Sequence, residues 1–89
     1  MNWEYELTDV AKRSLRDVGP SAAKDIKTFL ETRVKGCADP RAFGKQLKGK
    51  LRGYWRYRVK DYRIICDIQD NRLVVLVVHA AHRSTVYGD

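Results

Sequence analysis

In the stretch Gly53 to Ile64, "GYWRYRVKDYRI", Arg56 and Arg58 alternate in one apolar run and Arg63 follows in the next. Alternation in a strand sends side chains to one face, so this spacing gathers guanidiniums on one surface of a β-hairpin. Each guanidinium is a planar fork that matches the oxygens of a phosphate or carboxylate and stays charged at any physiological pH. Downstream, "HRSTVY" (His82 to Tyr87) adds a titratable imidazole, a further guanidinium at Arg83 and an aromatic ring at Tyr87 that can stack on a base. Such a set suits a polyanion. One arginine alone is an ordinary solvated side chain, whereas the cluster calls for an anion.

The charge distribution says the same. Residues 1 to 40 carry seven basic and seven acidic side chains, residues 41 to 63 nine basic and one acidic, and residues 64 to 89 two basic and three acidic. The whole excess of the net +7 therefore lies in the middle segment, which implies a polyanionic partner such as nucleic acid or an acidic protein.

At 89 residues and 44% hydrophobic side chains the chain is expected to fold as one α+β domain spanning 1–89. No apolar run approaches the roughly 20 residues of a membrane helix. The start "MNWEYELTDV" lacks the basic opening and apolar stretch of a signal peptide, so a cytoplasmic location and no membrane partner are expected. Cys37 and Cys66 show no metal-ligand spacing and read as reduced, non-catalytic thiols; no metal and no cofactor are expected.

A strand, two helices and three further strands must position the arginines. "WEYELT" (Trp3 to Thr8) alternates as a half-buried strand, and Asp9 to Val18 has the stripe of a short helix that "GP" ends. Ser21 is the expected cap of a second helix with Ala22, Ile26, Phe29, Leu30 and Val34 on one side, ending at Gly36. After a loop come three strands, Tyr54 to Val59, Tyr62 to Ile68 and Leu73 to Ala81, so the fold reads as an N-terminal strand, a helical hairpin and a three-stranded antiparallel meander.

A two-residue turn at Lys60-Asp61 sets Val59 against Tyr62, Arg58 against Arg63, Tyr57 against Ile64, Arg56 against Ile65 and Trp55 against Cys66. Trp55, Tyr57, Val59, Tyr62, Ile64 and Cys66 then form a core face, and the arginines share the other. A second tight turn at Asp70-Asn71 sets Ile65 against Leu76 and Arg63 against Val78, places His82 on the arginine face, and tucks His79 under Tyr62. Val74, Leu76 and Val78 on the arginine side then need a cover that the helical hairpin cannot give.

With "LKG", "YWRYRVKDYRIICDI" and "VVHAAHRSTVY" in this order, nearly the whole chain resembles the RelE/ParE superfamily of bacterial toxins from type II toxin-antitoxin systems. The specific part is "YRVKDYRIIxxI" with the terminal "HRxxVY". The resemblance implies a compact, microbial-RNase-like RelE fold that cleaves mRNA in the ribosomal A site, by metal-free attack of a 2′-hydroxyl, and so inhibits translation.

It carries catalytic roles onto Arg56, Arg58, Arg63, Arg83 and Tyr87, and RNA and ribosome contacts onto Lys45, Lys48, Lys50 and Arg52. It also implies a cognate RelB-like antitoxin, with operator DNA bound only through the toxin-antitoxin complex. An antitoxin segment over Val74, Leu76 and Val78 would supply the missing cover. One departure bears on chemistry: RelE itself has lysines where this chain has Arg56 and Arg58, and arginine is a poor general base. His82 is the available substitute for that role, and the identity of the base stays open. Two other readings stay open, a ParE-like toxin of the same fold that poisons DNA gyrase, and a non-catalytic basic binding module.

Overall fold

Strand β1 (Glu4–Leu7) turns Tyr5 and Leu7 inward and leaves Glu4 and Glu6 exposed, the alternation of a half-buried strand. The computed structural model describes residues 2–85. Helix α1 (Asp9–Val18) starts at Thr8, whose Oγ1 accepts the backbone N–H of Ala11 at 3.0 Å. Gly19, at φ +97°, ends α1, and Pro20 occupies the first position of α2 (Pro20–Phe29). The cap expected at Ser21 is therefore Gly19, because the fixed φ and missing N–H of proline suit the first helical turn. One wider helical turn, Leu30–Val34, continues α2, and the Gly36 N–H then donates to Trp3 O at 2.7 Å, tying the hairpin to β1.

The sheet has five strands in the order β1-β5-β4-β3-β2, from β2 (Lys45–Gln46), β3 (Trp55–Val59), β4 (Tyr62–Gln69) and β5 (Val74–His82). β1 lies parallel to β5 and the other pairs are antiparallel. The α+β class with strand, helical hairpin and antiparallel meander is observed. Lys45–Gln46, expected as loop, adds an edge strand by pairing with Arg56 and Trp55.

The β3–β4 register is the expected one at all five positions, Trp55 to Val59 against Cys66 to Tyr62. Lys60 closes its tight turn at φ +53° without a glycine and reaches Asp25 with its ammonium at 3.0 Å. The β4–β5 register is not the expected one. Its turn runs from Asp70 to Leu73, which itself takes φ +53°, so Val74 pairs with Gln69 and Leu76 with Asp67, two residues off the expected alignment. A bulge then follows. Cys66 pairs with Val77, Ile65 with His79, Arg63 with Ala81 and Tyr62 with His82, which leaves Val78 as the extra residue.

The helices cover one face only. Ala11, Leu15, Ile26, Leu30 and Val34 pack there against Tyr57, Ile64, Cys66, Val75 and Val77, all buried. Burial pushes the Cys66 thiol up to about 12, so it remains a thiol, and Cys37 is a free thiol as well. Where β1 stops short, α1 closes the β5 edge: buried Ser14 donates to Ala11 O at 2.9 Å while its Oγ accepts the Ala80 N–H at 3.1 Å. Ser14→Ala strands that buried N–H beside the bulge, and is expected to lower stability by about 1–3 kcal/mol in urea denaturation. An unchanged denaturation midpoint would mean that water replaces the hydroxyl.

Candidate anion site on the open face of the sheet

The face away from the helices is built in rows that cross the strands. Lys45, Arg56, Ile65 and His79 form one row, and Arg58, Arg63 and Ala81 the next. Neighbouring strands lie about 4.8 Å apart, so each row brings its long side chains within reach of a single anion. Alternation explains the set: Tyr57 and Ile64 are drawn into the core, which sends Arg56, Arg58 and Arg63 outward.

Arg58 and Arg63 face each other directly, an arrangement that opposes pairing unless something negative joins them. Among the described residues no carboxylate makes an ion pair with Arg56, Arg58 or Arg63, whereas Arg41, Arg72 and Arg83 pair with Asp70, Glu6 and Asp61. The Nε atoms of Arg56 and Arg63 are both buried and have no hydrogen-bond partner. A buried N–H of this kind costs about 1–3 kcal/mol when left unmade. Ile65, between these two arginines, is 3% exposed, so the arginine stems pack over an apolar floor.

Other expected residues lie elsewhere. His82 is on the helix side of the sheet, edge-on to Tyr62 at 5.4 Å between ring centroids, and its Nδ1 accepts the Ser84 N–H at 3.2 Å. The expectation that His82 joins the arginines is overturned by the bulge at Val78, which exchanges the faces of the two histidines. His79, expected under Tyr62, is instead the histidine of the arginine face. Sequence reasoning missed this because "LVVLVVHAAH" is apolar on both sides and carries no alternation to fix its register. The spacing of three between the histidines sets them on opposite faces of any regular strand, but which of the two joins the arginines depends on the bulge.

Arg83 stands one row beyond Ala81, its N–H donating to Asp61 O at 2.7 Å and its Nε 3.6 Å from the Asp61 carboxylate. Lys45 joins the cluster. Lys48, Lys50 and Arg52 are exposed at the opposite end of the sheet, around a single helical turn at Gly49–Leu51. Tyr87 lies outside the described residues. Of the apolar stripe, Val74 is already buried within the chain, and Leu76 and Val78 are half-buried. The two-residue register difference sets Leu76 between Asp67 and Glu6, farther from the arginines than expected.

A family model described as the ParE toxin of type II toxin-antitoxin systems matches residues 5–87. The chain is 30% identical over 76 residues to Toxin RelE of Mycobacterium tuberculosis, covering 75% of this chain and 78% of that protein. It is 25% identical over 87 residues to Toxin RelG of the same organism, covering 98% of each. Among solved structures, the toxin-antitoxin complex RelBE2 from Mycobacterium tuberculosis contains a chain with the same fold: TM-score 0.83, 24% identity, 96% of this chain and 95% of that one.

Proposed function

Because this chain belongs to the ParE toxin family of type II toxin-antitoxin systems, we propose that it is a ribosome-dependent endoribonuclease whose arginine face holds the scissile phosphate of mRNA in the A site. The observation that carries this reading is the set of three guanidiniums, Arg56, Arg58 and Arg63, gathered on adjacent strands of one face with no carboxylate paired to them among the described residues. Arg56, Arg58 and Arg63 offset the charge that gathers on the phosphoryl oxygens as a neighbouring 2′-hydroxyl attacks phosphorus. The products are a 2′,3′-cyclic phosphate and a 5′-hydroxyl end. Arg83, at the edge of the same face, stabilises the leaving oxygen, and Tyr87 stacks on a base. Lys45 extends the phosphate track, and Lys48, Lys50 and Arg52 contact ribosomal or messenger RNA by charge.

The name of the matching family model favours a second reading, in which the same fold poisons DNA gyrase. Induction without the antitoxin separates them. Growth arrest with mRNA cuts that appear only on translated messages supports the ribonuclease; arrest with intact mRNA and inhibited gyrase supports the other.

The partner in either case is a small acidic antitoxin, RelB-like in the ribonuclease reading, with operator DNA bound through the pair. The open face suits an amphipathic segment with acidic residues toward Arg56, Arg58 and Arg63 and apolar ones over Leu76 and Val78. Leu76→Arg removes the apolar contact, while Asp67 and Glu6 on either side offset the new charge in the free fold. Its expected effect is antitoxin affinity at least about tenfold weaker, with little change in the melting temperature of the free toxin. Calorimetric titration at low and high salt checks both points. Unchanged affinity would place the antitoxin away from this stripe.

A further inference from the structure

The guanidiniums of this face can stabilise charge but cannot take the proton from the attacking hydroxyl. Guanidiniums stay protonated, and the chain has two histidines, of which His82 lies on the helix side. The bulge at Val78 puts the other, His79, in the row of Arg56 and Ile65, with Ala81 beside it opposite Arg63.

Ala81, 8% exposed, and Ile65, 3% exposed, are the small and apolar positions of these two rows, so the polar groups there are Arg56, Arg58, Arg63, Lys45 and His79. His79 and Arg56 are two strands apart, about 10 Å between Cα atoms, a span that an arginine, a phosphate and an imidazole together fill. Among the described residues, the charged groups at neighbouring strand positions on the face of His79 are Arg56 of β3, Arg63 and Asp67 of β4, and Glu6 of β1 beside Leu76. Asp17 of α1 lines a cleft that also reaches β5 at His79.

We infer that His79 is the general base of this toxin, an inference that rests on the ribonuclease reading above. The 2′-hydroxyl proton passes to an imidazole nitrogen of His79 as the 2′-oxygen bonds to phosphorus. The bond from phosphorus to the 5′-oxygen then breaks, and the leaving oxygen takes a proton from water. Arg56 and Arg63 hold the phosphate against the base, so the bulge serves to bring an imidazole to the face where the arginines already are.

The test is single-turnover cleavage of mRNA on programmed ribosomes, from about pH 5.5 to about pH 8.5. The wild-type rate should rise with pH as the base loses its proton. His79→Gln should lose about 100-fold or more of the rate together with that acid limb. His79→Ala covers the case of a merely structural role: imidazole added to the assay should restore part of its rate, which no packing defect would allow. Cleavage by His79→Gln with the wild-type rate and acid limb overturns the inference, as does an acid limb abolished by His82→Gln instead, or a His79→Ala rate that imidazole leaves unmoved. Absence of cleavage by the wild type would sink the ribonuclease reading itself, and His79 with it.

Discussion

Arg63→Ala is expected to lower mRNA cleavage about 100- to 1,000-fold while the free protein unfolds at the same temperature or a higher one. The two halves of this result have one cause. Arg63 sits opposite Arg58, has no carboxylate partner among the described residues, and buries an Nε with nothing to bond. In the free toxin it is thus held against repulsion and an unmade hydrogen bond, and its removal relieves both. In the proposed complex with RNA the repulsion would turn to attraction, a phosphate between the two guanidiniums accepting from their outer N–H groups. Melting curves and single-turnover cleavage on the same preparation measure the pair of effects. A variant that melts lower and still cleaves at the wild-type rate would show that Arg63 serves the fold.

Tyr57→Ala is expected to cost about 3–5 kcal/mol, a large part of what holds a small domain together. Tyr57 is fully buried, its ring lies 5.4 Å from that of Phe29 and 5.3 Å from that of Phe43, and its hydroxyl donates to Pro40 O at 2.7 Å. Burial also pushes its phenol far above the usual range, so it stays neutral and donating. The fit is close enough that a Cβ on Gly44 would meet Tyr57 Cε1 at 2.8 Å. The candidate site is tied to this anchor because Tyr57 lies between Arg56 and Arg58, and its pull into the core is what turns both arginines outward. Tyr57→Phe keeps the volume and loses only the hydroxyl, with an expected cost of about 1–3 kcal/mol. Urea denaturation of both variants is the check. A Tyr57→Ala protein close to wild type would mean that the region collapses to fill the space.

How much of this was legible in the sequence depended on how strongly each segment alternates. β3 and β4 read well because a slip of one residue would bury Arg56 and expose Trp55, an energetic penalty large enough to fix the register from composition alone. α1 read to the residue, since Thr8 and Gly19 are strong end signals. β5 did not, because Val74 to Ala81 is apolar on both faces except at His79. Neither the longer Asp70–Leu73 turn nor the bulge at Val78 leaves a mark in hydropathy. The misplacement of His82 and His79 followed from that single ambiguity. Arg56, Arg58 and Arg63 were found together because their strands are the ones whose pattern admits one pairing. Lys45 was recognised by charge, while its place beside Arg56 needed the short β2 pairing that two residues cannot announce.

The claim that the arginine face holds a scissile phosphate is tested most directly by the chemistry of the cut ends. Purified toxin is mixed with ribosomes carrying a defined mRNA codon in the A site, and the fragments are mapped and their termini identified. The account predicts one cut within the A-site codon, leaving a 2′,3′-cyclic phosphate upstream and a 5′-hydroxyl downstream, abolished when Arg56 and Arg63 are both alanine in a protein that remains folded. Intact mRNA, ends bearing a 5′-phosphate, or cleavage that survives the double substitution would contradict it.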